Sequence, residues 1–187
     1  MQTEIVIAGF GGQGVLFAGQ VLAYAGMDFG LHVTWIPSYG PEMRGGTANC
    51  TVIIADEEIG APISAHPHAV IALNRPSLDR YESLIIPGGI LIFNRSLVER
   101  DVERADLRVA AIRANEIAEE IGDKRLTNMV MIGGLIDSLS VLPMDVIKSA
   151  LKAHLPARHQ KLLPANYEAL DQGATQAREI LNTGVIS

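Results

Sequence analysis

Ile5-Val-Ile-Ala-Gly-Phe-Gly-Gly-Gln-Gly14 is the stretch that decides the fold of this chain. Its first residues are apolar and β-branched, which predicts a buried strand, and its glycines then predict a tight turn. A long segment rich in small residues follows, and we predict a helix over roughly 14–29. The rest of the chain is expected to pack around this strand, turn and helix.

The glycine turn has the spacing G-x-G-x-x-G, which is typical of anion-binding turns when a strand precedes it and a helix follows. Glycines let the backbone approach a ligand closely, and the free N–H groups of the helix start point towards the turn. We therefore predict that the turn binds a phosphate or another anion through Gly9, Gly11, Gly12, Gln13 and Gly14. The alternative is that the glycines only allow the strand and the helix to pack closely.

The carboxylate that would bind the ribose of NAD is missing. It is expected at the end of the second strand, about 20 residues after the glycines. That strand reads His32-Val-Thr-Trp-Ile-Pro-Ser38 and has no Asp or Glu at its end. The common NAD-binding form of the motif is therefore not favoured.

Composition limits the classes of function. The 187 residues are 48% hydrophobic with a mean hydropathy of +0.22, which predicts a single domain over 1–187. The net charge of −6 and the scattered basic residues do not favour nucleic acid or an anionic membrane as a partner. The chain opens on a strand and has no apolar run of about 18 residues, so we expect a soluble, cytoplasmic protein.

Cys50 is the single cysteine, so an internal disulfide is excluded and this chain cannot by itself hold an iron–sulfur cluster or a cysteine zinc site. Any redox metal is expected on another chain. Cys50 opens the apolar stretch 50–55, which favours a small buried hydrophobic residue over a nucleophile. His66 and His68 flank Pro67, but no third ligand accompanies them, and we favour a loop role over a metal site.

A second glycine-rich segment reads Pro37-Ser-Tyr-Gly-Pro-Glu-Met-Arg-Gly-Gly-Thr-Ala48 and is predicted to be a loop. In an open α/β sheet it leaves the same edge as the glycine turn, where such sheets bind ligands. Arg44 is the candidate for a phosphate or carboxylate, because its guanidinium is a charged fork of donors. The backbone of Gly45 and Gly46 and the Thr47 hydroxyl can join it. The alternative is a solvated loop in which Arg44 pairs with Glu42.

Strands alternate with helices along the remaining chain, which predicts an α/β fold with a doubly wound, mostly parallel sheet and helices on both faces. Further strands are predicted at 31–36, 50–55, 69–73, 90–93 and 107–112, with a hairpin at a sheet edge suggested for 51–63. The helix over 126–142 is apolar nearly all round, with Thr127 as its cap, so we expect it to be buried. Gly133 and Gly134 cost it about 2 kcal/mol of helix propensity, which suggests that another backbone or a ligand packs there.

The chain resembles the gamma subunit of the 2-oxoacid:ferredoxin (acceptor) oxidoreductases, most of all the 2-oxoglutarate type. The resemblance rests on the segments 9–15 and 37–50, and more loosely on Thr127-Asn-Met129 at the start of the buried helix. It implies a Rossmann-like fold and a subunit that is not active alone. It also implies a heterotetramer with alpha, beta and ferredoxin-like delta subunits.

In that family a 2-oxoacid is decarboxylated on thiamine diphosphate, electrons pass through iron–sulfur clusters to ferredoxin, and the acyl group passes to coenzyme A. Thiamine diphosphate, Mg²⁺ and the clusters belong to the partner subunits, so the resemblance implies no tightly bound cofactor and no catalytic residue here. The coenzyme A phosphates are expected at the turn from Gly11 to Gly14 and at Arg44. Tyr39, Glu42 and Met43 are expected to close against the partner's active site.

Two other readings stay open from the sequence. The first is a free-standing NAD(P)- or flavin-dependent oxidoreductase, since NADP can bind through an arginine instead of a carboxylate. The second is a regulatory module that binds a nucleotide or an acyl-CoA without catalysis.

Overall fold

The computed structural model describes residues 1–40 and 46–183. Within these residues six strands form one sheet and six helices surround it, with short 3-10 turns at Glu82–Leu84, Lys124–Leu126 and Ala157–Leu162. The strands are β1 Gln2–Phe10, β2 His32–Tyr39, β3 Thr47–Ala55, β4 Ala69–Ala72, β5 Ile90–Asn94 and β6 Arg108–Ile112. The helices are α1 Val15–Asp28, α2 Arg75–Tyr81, α3 Ala114–Ile121, α4 Thr127–Leu139, α5 Met144–His154 and α6 Leu163–Thr183.

The strand order is β2-β3-β1-β4-β5-β6. Strands β1, β4, β5 and β6 pair in parallel, whereas β3 pairs antiparallel with both β1 and β2. The predicted α/β fold with a mostly parallel sheet is confirmed. The central strands are apolar at nearly every position because both of their faces are covered, as parallel strands usually are.

The two faces of the sheet carry unequal cover. Along β1, Ile5 and Ile7 face the larger core, to which α1, α3, α4, α5 and α6 contribute, while Val6 and Ala8 face a smaller core. Of the described helices, α2 alone contributes to this smaller core, through Leu78 and Tyr81. Helices therefore lie on both faces, as predicted, but five of the six share one face.

The hairpin suggested for 51–63 is wrong. Within the described part of the chain no strand lies between Ala55 and Ala69, and the real hairpin joins β2 to β3, with Tyr39 opposite Ala48. β3 begins at Thr47 and is inserted between β1 and β2, so it is an inner strand. Its last four residues, 52–55, are all at most 4% exposed, which an edge strand would not allow.

The segment 37–39, predicted as loop, is the end of β2. A proline is tolerated there because β2 is the edge strand of the sheet and needs partners on one side only. The predicted cap of α4 is also wrong. Leu126 holds the cap position, and the Thr127 hydroxyl instead donates to Lys124 O at 3.0 Å, because a 3-10 turn runs directly into the helix.

The expected burial of α4 is confirmed, and so is the expected close approach of another backbone at Gly133, whereas the nearest neighbour of Gly134 is the side chain of Ile112. Every residue from Asn128 to Ile136 is buried. A Cβ on Gly133 would overlap the backbone of Leu170 in α6, and a Cβ on Gly173 in α6 would overlap the backbone of Val130 in α4. The two helices therefore touch backbone to backbone. No helix among the described residues is both long enough and apolar enough to cross a membrane.

Candidate functional site

The glycine turn follows β1 at the carboxyl edge of the parallel strands. Gly12 has φ +98° and Gly14 has φ +73°, values that side chains rarely adopt, so the path of the turn needs glycine at both positions. Gly14 is the N-cap of α1, and its carbonyl accepts the first helical hydrogen bond from Ala18 N–H at 3.0 Å. No side chain of the described residues caps this helix, and its first turn holds no acidic residue. Its first N–H groups and the positive end of its dipole are therefore available to an anion.

The second glycine-rich segment meets this turn directly. Gly11 N–H donates to Gly46 O at 2.9 Å, and Phe10 lies opposite Thr47 in the β1–β3 ladder. Tyr39, at the end of β2, is 70% exposed at the same edge. The two segments border one edge of the sheet, as the sequence predicts. Glu42, Met43, Arg44 and Gly45 lie outside the described residues.

Gln13 turns its side chain inwards. Its Oε1 accepts from Phe10 N–H at 2.7 Å and from Asn74 Nδ2 at 3.1 Å, and its Nε2 donates to Leu73 O at 3.4 Å. Phe10 ends β1, and Leu73 and Asn74 follow β4. The connection after β1 runs through α1 on one face of the sheet, whereas the connection after β4 runs through α2 on the other face. This is the crevice where doubly wound sheets usually bind nucleotides. Here the carboxamide of Gln13 occupies it, which counts against the free-standing dinucleotide-binding reading.

Asn128 is a site residue that the candidate set omitted. Its Nδ2 donates to Gly14 O at 3.2 Å, and a Cβ on Gly14 would lie 3.0 Å from its Cγ and closer still to its Nδ2. Asn128 thus holds the start of α1 from the first turn of α4. The sequence feature that could have revealed Asn128 is a polar residue at the start of a mostly apolar helix, in the short motif Thr127-Asn-Met129.

A second omission is the wall opposite the glycine turn. A cavity of about 290 Å³, which we call the turn crevice, is lined by Gly12, Gln13, Leu97, Asn115, Glu119, Lys124, Arg125 and Thr127. Lys124 pairs with Glu119 at 2.9 Å, and Arg125 pairs with Asp123 at 2.6 Å. Hydrogen bonds from Arg125 lower the pKa of Asp123, so this ion pair persists into acidic solution. The turn crevice therefore places two cations, both already paired with carboxylates, on the same wall as the exposed backbone of Gly12.

Cys50 is completely buried, and its thiol lies 3.6 Å from Val15 O. The predicted burial of this small residue is confirmed, and burial raises the pKa of its thiol to about 12, which disfavours the reactive thiolate. His68 Nδ1 accepts from Glu4 N–H at 3.2 Å, and a ring nitrogen of His66 lies 3.2 Å from Leu84 O. Among the described residues, no three His, Cys, Asp or Glu side chains are grouped as a metal site requires.

Sequence comparison decides the family. A family model described as pyruvate ferredoxin/flavodoxin oxidoreductase matches residues 4–176. The chain belongs to this family. The resemblance inferred from the two glycine-rich segments is confirmed.

Two relatives of this oxidoreductase family differ in how much of them the chain covers. The ketoisovalerate oxidoreductase subunit VorA of Methanothermobacter thermautotrophicus is 37% identical over 179 residues, which cover 95% of this chain and 37% of VorA. The 2-oxoglutarate synthase subunit KorC of Methanothermobacter marburgensis is 37% identical over 163 residues, which cover 83% of this chain and 88% of KorC. The chain thus spans little more than a third of VorA but most of KorC.

Solved structures have the same fold. The gamma subunit of keto/oxoacid ferredoxin oxidoreductase from Geobacter sulfurreducens superposes with a TM-score of 0.83 at 25% identity, covering 96% of this chain and 98% of that one. The 2-oxoglutarate:ferredoxin oxidoreductase of Magnetococcus marinus, solved with 2-oxoglutarate, coenzyme A and succinyl-CoA bound, gives 0.86 at 24% identity. There the match covers 95% of this chain and 31% of the other, and it shows the fold alone.

Proposed function

We propose that this chain is the gamma subunit of a 2-oxoacid:ferredoxin oxidoreductase that acts on 2-oxoglutarate. The observation that carries the proposal is the family match over residues 4–176. The choice of 2-oxoglutarate is supported by KorC, most of whose own length has a counterpart in this chain. VorA makes the branched-chain 2-oxoisovalerate the second candidate substrate.

In this proposal the chain contributes to the coenzyme A site. Coenzyme A supplies the thiol that accepts the acyl group, and its phosphates are the anions to be bound. The start of α1 offers backbone N–H donors, and Gly12 is exposed, with no atom of the described residues within 4 Å of the position of a Cβ. We expect Arg44, in the segment that Gly46 joins to this turn, to pair with a phosphate. Thiamine diphosphate, Mg²⁺ and the iron–sulfur clusters are assigned to the alpha, beta and delta subunits.

The first test is recovery of the complex from the native source through a tag on this chain, with identification of the proteins that come with it. The recovered complex is then assayed for viologen reduction with 2-oxoglutarate, 2-oxoisovalerate, pyruvate or indolepyruvate, each with and without coenzyme A. We expect the fastest reduction with 2-oxoglutarate, and only when coenzyme A is present. A preference for 2-oxoisovalerate would reassign the substrate. Recovery of the chain alone with a bound nucleotide would overturn the proposal.

The second test changes Arg44 in the assembled enzyme. Arg44→Met removes the charge while keeping a side chain of similar length, and we expect the KM for coenzyme A to rise about tenfold while the KM for the 2-oxoacid stays unchanged. Arg80→Met is the matched control, because Arg80 is exposed at the far end of α2. If the KM for coenzyme A is the same in both variants, Arg44 does not belong to the site.

A further inference from the structure

A second cavity lies along α1, beyond the glycine turn. It measures about 430 Å³, is open to solvent on one side, and is bordered by α1, the start of α4, α5, the 3-10 turn Ala157–Leu162 and the start of α6. We call it the helix-lined cavity. Its volume falls within the range of about 300–1,000 Å³ that is usual for small-molecule sites. Its walls are largely apolar, with Phe17, Val21, Leu126, Leu151, Leu155 and Leu162 among them.

One buried polar group on the wall of this cavity has an unused acceptor. Asn166 is 6% exposed, and its Nδ2 donates to Leu162 O at 2.7 Å. Among the described residues, no donor hydrogen-bonds to its Oδ1. This oxygen is not among the described side-chain atoms that are sealed from solvent without a partner, so a molecule in the cavity can reach it. A ligand with an N–H or O–H group in the cavity would supply the missing donor.

The cavity also has a positively charged rim. Arg158 lines it and donates from Nε to His159 Nε2 at 3.1 Å, and no carboxylate of the described residues forms an ion pair with it. Arg125 lines it as well, but is already paired with Asp123. His154 is similarly engaged, 2.9 Å from Asp28. Arg158 therefore remains as the cation that can pair with an anionic ligand.

We propose that the helix-lined cavity binds a small amphipathic anion. Its apolar chain or ring would lie against the leucines, its amide or hydroxyl would donate to Asn166 Oδ1, and its carboxylate or phosphate would pair with Arg158. Arg125 lines both this cavity and the turn crevice, so the two spaces are neighbours. The same chemistry is found in a free N-acyl amino acid and in the acyl and pantetheine arm of an acyl-CoA. The proposal does not rest on the proposed function, because every group belongs to this chain.

Two probes test the site on the full chain by isothermal titration calorimetry. N-hexanoylglycine carries an apolar chain, an amide donor and a carboxylate, and its methyl ester lacks the charge. Hexanoyl-CoA carries the same acyl chain, amide donors and phosphates. We expect N-hexanoylglycine, hexanoyl-CoA or both to bind with a Kd of up to about 1 mM. If N-hexanoylglycine binds, its methyl ester should bind about tenfold more weakly, because it lacks the charge that pairs with Arg158.

Variants assign the binding to the named groups. Arg158→Gln should weaken binding of the anionic probe about tenfold and remove the difference between acid and ester. Lys161→Gln is the matched control, since Lys161 is exposed on the same 3-10 turn and does not line the cavity. Asn166→Leu should weaken the amide probes, whereas Asn166→Gln keeps a neutral carbonyl acceptor and should weaken them less. Far-UV circular dichroism checks that each variant is folded.

The pattern of binding separates the two sources of the ligand. Binding of N-hexanoylglycine assigns the site to free carboxylates, and binding of hexanoyl-CoA alone, lost in Arg158→Gln, assigns it to the thioester. Failure of both probes, or equal binding by Arg158→Gln and the wild type, would overturn the proposal. These measurements use the chain without its partners, so their outcome is independent of viologen reduction by the assembled enzyme.

Discussion

The contact between α4 and α6 gives the sharpest prediction of stability. A Cβ on Gly133 would lie 2.8 Å from the carbonyl carbon of Leu170 and 2.9 Å from its Cα, and closer still to its oxygen. On the other side of the contact, a Cβ on Gly173 would lie 2.7 Å from the carbonyl carbon of Val130. The atoms in the way are backbone, so they cannot rotate aside as the end of a side chain can. Gly133→Ala must therefore push the two helices apart.

The size of the effect follows from these distances. Carbon atoms pack at about 3.5–4.0 Å, so the helices must separate by roughly 0.7 Å or more, and a gap of that size loses about a quarter to a half of each dispersion contact across the interface. The cost belongs at the upper end of core overpacking, about 3 kcal/mol. Alanine returns about 1 kcal/mol of helix propensity. We expect a net loss of about 2 kcal/mol and a fall in Tm of about 4–8 °C.

Urea and thermal unfolding of the full chain measure this loss. Gly134→Ala is the matched control on the same helix, because its Cβ would meet Ile112 Cδ1 at 2.5 Å, the movable end of a side chain. It should cost less than half as much. Gly133→Ala combined with Gly173→Ala should cost less than the sum of the two, since both changes open the same interface. A Gly133→Ala chain as stable as the wild type, or strictly additive losses, would refute the reasoning.

Three further predictions concern buried polar groups. Cys50 should resist alkylation in the folded chain at pH 8. Because burial raises its pKa from 9.0 to about 12, only the unfolded chain loses the thiol proton between these two pH values. The free energy of unfolding should then fall by about 1.4 kcal/mol more per pH unit above pH 9 in the wild type than in Cys50→Ala. Glu82 is 5% exposed and lies 2.7 Å from Arg100, so Glu82→Ala should cost about 3 kcal/mol in urea unfolding, and a loss below 1 kcal/mol would contradict a structural ion pair. Gln13→Leu leaves Phe10 N–H without its acceptor and should cost about 1–3 kcal/mol, whereas Gln13→Glu keeps an acceptor and should cost less.

Helices, strands and turns could be predicted where the local sequence pattern determines them, but the order of the strands in the sheet could not. The glycine turn, α1 and the buried α4 follow from apolar periodicity and turn residues that lie within a few positions of each other. The placement of β3 does not, because an apolar run such as Val52-Ile-Ile-Ala55 reads the same in a parallel and in an antiparallel strand. Which strands it joins depends on its pairing with β2 on one side and with the free edge of β1 on the other, and these are tertiary choices.

The candidate site shows the same division. Gly11 and Gly46 were assigned to one edge of the sheet because both loops leave the carboxyl ends of strands, and they share a hydrogen bond. Asn128 was not assigned, since it lies 114 residues from the Gly14 carbonyl to which it donates. Lys124 and Arg125 reach the turn crevice through the same long-range packing of α4 against α1. Sequence spacing within one motif does not reveal contacts of this kind.

The glycine motif has two kinds of glycine, and this narrows how a ligand can approach. Gly9 is closely packed, because a Cβ there would lie 3.0 Å from both Leu73 Cβ and Val15 Cγ2, and Gly14 combines a φ of +73° with close packing against Asn128. Both are needed for packing, which was the alternative reading of the motif. Gly11 and Gly12 are exposed, and no atom of the described residues lies near the position of a Cβ on Gly12. A ligand that uses this turn therefore approaches its exposed side, rather than the space between the ends of β1 and β4 that the Gln13 carboxamide occupies.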